Sequence, residues 1–216
     1  MGSDAGEFIP KEERGQDLAR PEDLLPDTLQ LIPLSSRPYF PVLVQPVVVD
    51  MDPWGKGIKT LEESAHSLVA LSYANVAGDS VPMPEAISEV GCVARVHRVQ
   101  ESKGKLQFIA QGIRRFRITG WIKRTPPYVV RVAYYKPPVI EQESQVRAYA
   151  MSIINIIKEL MQLNPLYNEE LKQYLNYFNP NDPGPLTDFA AAITSADAEE
   201  LQDILETLPL LERMEK

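Results

Sequence analysis

The amino-acid sequence predicts an α+β protein in which a small antiparallel β subdomain is followed by an α-helical subdomain. Two observations support this order. Between residues 28 and 138, short apolar or alternating runs are separated by turn-forming residues, as in a small barrel or sandwich. Across residues 139–216 the apolar residues recur every three or four positions, which is the period of amphipathic helices. Pro137 and Pro138 mark the change of period.

The first subdomain contains several short strand signals. Cys92, Ala94 and Val96 share one face of an alternating run, so we interpret Cys92 as a buried core thiol. The segment 102–104, Ser-Lys-Gly, has the composition of a hairpin turn. Strands are predicted at 29–34, 67–73, 92–97, 105–110, 115–118 and 128–135, with a short helix at 58–65.

Prolines interrupt the apolar stretch between residues 38 and 49. Proline has no N–H to donate to a strand ladder, so Pro38, Pro41 and Pro46 predict a loop followed by an edge strand. An exposed edge of this kind could also pair with an extended polypeptide, which we keep as a lesser alternative for binding.

Apolar stripes predict the helices of the second subdomain. The segment 197–200, Asp-Ala-Glu-Glu, resembles a capping box at a helix start. Pro209 is expected in the first turn of the last helix, whose stripe runs almost to Lys216, so we expect the natural protein to continue. The stripes are Val146, Tyr149, Ile153, Ile157 and Leu160; Leu171, Tyr174, Leu175 and Phe178; Leu186, Phe189, Ala190 and Ile193; Leu201, Ile204, Leu205 and Leu208; and Leu210, Leu211 and Met214.

Composition restricts the class of protein. The net charge of -8 argues against a nucleic-acid-binding surface, which is normally basic. A single cysteine excludes a disulfide within the chain, and no run reaches the ~20 apolar residues of a membrane span. We therefore expect a cytoplasmic protein without membrane contact. Residues 1–27 are polar, acidic and unpatterned, and predict a mobile tail.

No catalytic, cofactor or metal site is predicted. The segment 55–57, Gly-Lys-Gly, lacks the spacing of a phosphate-binding loop, and His66 and His97 stand alone. Ser102 and Lys103 lie at a predicted hairpin tip without supporting residues. A small basic cluster is interpreted as surface ion pairing, with contact to an acidic substrate or a neighbouring subunit as the alternative: Arg114, Arg115 and Arg117.

Several short motifs, in order along the chain, resemble the N-terminal domain of Lon proteases. Val42 departs from the pattern because the family usually has glycine after Phe-Pro, so another loop shape is possible there. Ser35, Ser36 and Gln111 also depart from it. The matching segments are Leu31–Leu34, Phe40-Pro41 with Pro46, Val90–Val96, Gln111–Ile118, Asp182–Asp188, and Leu201–Thr207 with Glu212-Arg213.

The resemblance implies a six-stranded pseudo-barrel related to the PUA fold, followed by a helical bundle. It implies a non-catalytic substrate-recognition and assembly region, whose partners are unfolded or damaged polypeptides and other Lon subunits. The parent would be a hexameric, ATP-dependent Ser-Lys endopeptidase that binds ATP and magnesium in an ATPase domain absent here. The alternative is a stand-alone adaptor or protein-binding module of the same fold. PUA-like barrels elsewhere bind RNA, which the acidic charge opposes.

Apolar residues in loops are the candidates for binding a polypeptide, because exposed apolar patches and aromatic anchors mark interaction sites. The proline-rich stretch and two further turns supply them. The candidate substrate-binding residues are Tyr39, Phe40, Val42, Leu43, Trp54 and Trp121.

Overall fold

The structure, a computed structural model, describes residues 25–55, 57–59, 67–76, 80–137, 140, 142–163, 175 and 182–216. Residues 1–24 of the predicted tail lie outside the described residues. So do most of the helix predicted at 58–65 and the predicted stripe at 171–178, apart from Leu175.

The described strands form one sheet in the order β2-β5-β4-β3-β1-β6, and β5 also pairs with β6. The pairings therefore run in a cycle through five strands, as expected for a pseudo-barrel. The sheet is mixed rather than wholly antiparallel, because β1 and β3 run parallel. Parallel neighbours need a long crossover, which residues 35–67 supply. The strands are β1 Thr28–Leu34, β2 Val44–Asp50, β3 Leu68–Ala74, β4 Ile87–Ser102, β5 Lys105–Lys123 and β6 Tyr128–Tyr134.

The sheet encloses the main apolar core. Every residue of β3 is buried, as predicted from its continuous apolar run. Cys92 on β4 is fully buried, which confirms its interpretation as a core thiol. The hairpin between β4 and β5 is confirmed as well, because Ser102 pairs with Lys105 across a two-residue loop. Lys103 and Gly104 in that loop have φ values of 50° and 77°, as a type I′ turn requires.

β2 is an edge strand that pairs with β5 alone among the described strands. The Met51 N–H donates to the Gly104 carbonyl (2.9 Å), so odd-numbered residues of this ladder direct their backbone groups at β5. Even-numbered residues direct theirs outward, and Pro46 is one of them. The prediction of an edge strand is confirmed, and the missing donor of Pro46 lies on the free side of the ladder.

Four described helices follow the sheet: α1 Glu143–Leu163, α2 Gly184–Ile193, α3 Ala198–Glu206 and α4 Leu210–Glu215. The capping box is confirmed, since the Asp197 side chain accepts from the Glu199 and Glu200 N–H groups. Pro209 precedes α4, and its carbonyl accepts from the Arg213 N–H. None of the described helices is long and apolar enough to cross a membrane. The predicted domain boundaries themselves stay predictions.

Candidate functional site

Phe40 joins the sheet to the helices. It is 1% exposed and packs with Val90 of β4, Ala191 of α2, and Leu201 and Leu205 of α3. Its ring therefore belongs to the core of the junction and is not available to a partner.

Tyr39 is buried as well, on the barrel side of the same loop. It is 1% exposed, and its hydroxyl donates to the Ala110 carbonyl (2.6 Å). Burial raises the pKa of Tyr39 above its usual range. Like Phe40, this candidate does not present the exposed apolar surface on which its selection relied.

The structure brings together the two candidate tryptophans through a shared neighbour. Trp54 and Trp121 each contact the ring of Tyr128, with centroid distances of 5.5 and 5.6 Å. The Arg124 guanidinium lies 5.7 Å from the Trp121 ring centroid, within range of a cation–π interaction. Trp54 is buried, whereas Trp121 is half-buried, so only Trp121 keeps surface for a partner.

Val42 and Leu43 are half-buried and lie where the loop meets β5. The Val42 N–H donates to the Gly112 carbonyl (3.1 Å), and the Gly112 N–H donates to the Leu43 carbonyl (2.8 Å). A Cβ on Gly112 would lie 2.3 Å from the Phe40 carbonyl oxygen, so this close approach requires glycine. Val42 has a φ of 65°, a conformation that favours glycine. Val42, a β-branched residue, therefore adopts the left-handed backbone conformation that glycine adopts most easily.

A buried ion pair fixes α2 against the sheet. The guanidinium of Arg115 on β5 donates to both carboxylate oxygens of Asp188 on α2, at 2.6 Å each. Arg115 Nε donates to the Leu205 carbonyl on α3 (2.9 Å). This bidentate geometry is the strongest arrangement available to an Arg–carboxylate pair.

Arg213 of α4 approaches the same carboxylate. Its Nε lies 3.4 Å from Asp188 Oδ1, within ion-pair range, although the N–H is not aligned for a hydrogen bond. Burial lowers the pKa of Arg213 to about 10, despite the opposing effect of Asp188. The buried cluster therefore holds two guanidinium groups around one carboxylate.

The prediction of surface ion pairing for the basic cluster was wrong for Arg115, which is 7% exposed. It is confirmed for Arg117, which pairs with Glu89 (2.8 Å) on the surface. The sequence contained a signal for the difference. Arg115, Asp188 and Arg213 each belong to one of the motifs that carry the resemblance, and the fold brings these motifs to a single point.

Beside this cluster the sheet and the helices enclose an open cleft of about 360 Å³, called here the junction cleft. Its walls combine apolar and charged side chains. They include Val42, Ile113, Tyr135, Lys136, Asp182 and Arg213.

A second depression, called here the helical groove, lies between the helices and has a volume of about 270 Å³. Its walls are mainly apolar, and α1 and α2 contribute most of them. Leu160 was predicted on the core-facing stripe of α1, yet it is exposed, because α1 is apolar over more of its circumference than the described neighbours cover. The groove includes Ile153, Ile156, Leu160, Ile193, Ile204 and Met214.

The described residues contain no group of three His, Cys, Asp or Glu side chains that could hold a metal ion. Burial raises the pKa of the Cys92 thiol to about 12, so it stays protonated at neutral pH.

The sequence model of the family described as "ATP-dependent protease La (LON) substrate-binding domain" matches residues 28–216. The chain belongs to the Lon substrate-binding domain family. Lon protease 2 of Hydrogenovibrio crunogenus is 37% identical over 191 residues, which cover 88% of this chain and 22% of the relative. Lon protease of Magnetococcus marinus is 33% identical over 201 residues, which cover 91% of this chain and 25% of the relative. The chain thus spans about a quarter of the length of these curated relatives.

Solved structures of Lon N-terminal domains share the fold. The N-terminal domain of the Mycobacterium avium complex Lon protease superposes with a TM-score of 0.64 at 19% identity, covering 87% of this chain and 94% of that one. The Lon N-terminal domain protein from Xanthomonas campestris gives a TM-score of 0.58 at 18% identity, covering 87% and 95%. The expected α+β fold, a six-stranded sheet followed by helices, is confirmed at this level. The comparisons do not favour the stand-alone adaptor.

Proposed function

We propose that this domain captures apolar segments of unfolded or damaged polypeptides for degradation by a Lon-type protease. The helical groove carries the proposal, because it presents exposed apolar side chains in a domain whose family is defined by substrate binding. Ile156, Leu160 and Ile193 are 56%, 46% and 38% exposed. Contiguous apolar surface of this kind marks interaction sites on soluble proteins.

The character of the groove suits ligands of varied sequence. Aliphatic side chains attract apolar groups without directional demands, so affinity depends on buried area more than on a particular residue order. The groove is also shallow and open, which favours weak, exchangeable binding over a tight complex. Val42, Leu43 and Trp121 remain proposed contacts outside the groove, since each is half-buried.

The proposal extends to the parent protein. Its support is that the curated relatives are named Lon proteases and are about four times as long as this chain. We propose a cytoplasmic, hexameric, ATP-dependent Ser-Lys endopeptidase whose ATP and magnesium are bound outside this chain, and whose subunits contact one another partly through this domain. Sequencing the gene past Lys216 tests this, because a phosphate-binding loop must follow.

Binding of a fluorescent, permanently unfolded model protein to the 216-residue chain tests the capture function. Ile156→Ser and Ile193→Ser should each weaken binding about fivefold, since burying half of such a side chain contributes about 1 kcal/mol. Met83→Ser is the matched control, because Met83 is exposed but lies outside the groove. Absence of binding by the folded wild-type chain, or equal losses in all three variants, would contradict the proposal.

A further inference from the structure

Helix α1 has two neighbouring apolar stripes, and the described residues cover only one of them fully. The inner stripe is buried in the helical core, where α1 contacts α2 and α4. The outer stripe lies about 60° further around the helix. The inner stripe consists of Val146, Ala150 and Ile157, and the outer stripe consists of Tyr149, Ile153, Ile156 and Leu160.

The spacing of the outer stripe is that of a helix–helix contact. Its members follow one another at intervals of four, three and four residues, which is the spacing at which the side chains of one helix interlock with those of a second. Ile153 is half-buried, whereas Ile156 and Leu160 are exposed. The Tyr149 hydroxyl donates to the Glu215 carboxylate on α4 (3.2 Å), so the stripe is continuous with the packing of α1 on its neighbours. The outer stripe therefore has the form of one half of a helix pair.

The hydroxyl groups in the wall of the helical groove are used within α2 and its cap. Thr187 Oγ1 donates to the Pro183 carbonyl (2.9 Å), and Thr194 Oγ1 donates to the Ala191 carbonyl (2.8 Å). An extended polypeptide pressed into the groove would find few partners there for its own N–H and C=O groups, and unpaired polar groups weaken binding. A helical ligand pairs its backbone groups internally and presents only side chains.

The charged side chains of the groove wall are paired as well. Among the described residues, the wall contains Arg213 and Lys216 but no carboxylate. Arg213 Nε lies 3.4 Å from Asp188 Oδ1, and Lys216 Nζ lies 2.5 Å from Asp203 Oδ2. Because each cation has its own carboxylate, the wall is matched in charge to the uncharged, apolar face of an amphipathic helix.

Resting on the proposed function, we propose that the helical groove binds segments of the protein substrate as amphipathic α-helices, whose apolar face packs on the outer stripe of α1. The substrate class is then partly unfolded polypeptide whose segments keep or form a helix on the groove. The groove is lined by thirteen described residues, whereas a stable interface between two proteins takes about 20–30 on each side. This size favours a short, exchanging helix over a second copy of the chain.

Fluorescence anisotropy with three peptides of about 18 residues and the 216-residue chain tests the assignment. The first peptide has apolar residues at the three- and four-residue spacing of a helix. The second has the same composition but places an apolar residue at every second position, as in a strand. The third is the first peptide with one proline at its centre. The first peptide should bind at least about tenfold more tightly than the other two, because only its apolar residues form one face of an uninterrupted helix.

Two variants of α1 place the contact on the outer stripe. Leu160→Glu should weaken binding of the first peptide about tenfold, because it puts a charge where the apolar face packs. Met151→Glu is the matched control, since Met151 is 53% exposed on the opposite side of the same helix and outside the groove. Glutamate is a good helix former, so both variants should keep α1 intact, which circular dichroism checks.

Equal binding of the three peptides, binding of none of them, or equal effects of Leu160→Glu and Met151→Glu would overturn the assignment. A wild-type dimer that Leu160→Glu dissociates in sedimentation would also overturn it, because a second copy would then occupy the groove. If the permanently unfolded protein still binds in those cases and Ile156→Ser weakens it, the proposed function stands and only the helical form of the ligand fails.

Discussion

Replacing Asp188 by Asn tests how the helices are held on the sheet. Asn preserves the volume of the side chain, so no cavity forms, but the negative charge between Arg115 and Arg213 is lost. Two buried guanidinium groups are then uncompensated. Removing one partner of a buried pair costs about 3–5 kcal/mol, and we expect the free energy of unfolding to fall by that amount.

The assay is urea unfolding at neutral pH, followed by circular dichroism. Glu89→Gln breaks the exposed pair with Arg117 and should leave the free energy of unfolding nearly unchanged. Arg213→Met should cost much less than Asp188→Asn, because the bidentate pair survives and the excess buried cation is removed. If Asp188→Asn resembled Glu89→Gln, the cluster would not hold the junction together and the reasoning would be refuted.

Four further substitutions have expected outcomes. Phe40→Ala should lower the free energy of unfolding by about 3–5 kcal/mol in urea titrations, because it empties the core of the junction, whereas a partner-binding residue would leave stability intact. Burial raises the pKa of the Cys92 thiol from its ordinary 9.0 to about 12. The contribution of the protonated thiol to the free energy of unfolding is therefore fully present below pH 9 and is lost as the pH rises toward 12. Stability measured from about pH 8 to about pH 10.5 should therefore fall less steeply in Cys92→Ala than in the wild type. Asp197→Ala should cost about 1 kcal/mol in thermal unfolding through loss of the cap, with Asp197→Asn retaining most of it. Gly104→Ala should lower the free energy of unfolding by about 1–2 kcal/mol. The added Cβ would contact no other atom, so the cost comes only from the φ of 77°, and an unchanged free energy in urea unfolding would contradict this.

Local features of the fold follow from the sequence because their causes are local. The hairpin at Lys103 and Gly104 needs only two residues that tolerate positive φ, and the helix start at Asp197 needs only a side-chain acceptor. Pro46 likewise indicates an edge strand through its own missing donor. Each of these predictions depends on a few adjacent residues, and each is confirmed.

Tertiary relations do not follow from the same patterns. The residue types show that Phe40 and Trp54 are apolar, but not whether they are buried. Their burial depends on the residues that cover them, and those residues are distant in the sequence. The parallel pairing of β1 with β3 depends on a crossover that no local signal specifies. Arg115 and Asp188 stand 73 positions apart, so two separate solvated charges were the simpler interpretation. Both residues lie in segments that carry the family resemblance, but those segments do not specify that the two side chains pair.

The outward-facing backbone groups of β2 limit how long an extended polypeptide could stay paired with this edge. An extended polypeptide that docks on this edge finds donors at Val44 and Val48 but none at Pro46, so its ladder is interrupted at the middle. Short ladders on either side open independently, and the bound segment never accumulates the cooperative set of backbone hydrogen bonds that makes β-assemblies persist. Release of such a segment then depends on breaking a few side-chain contacts.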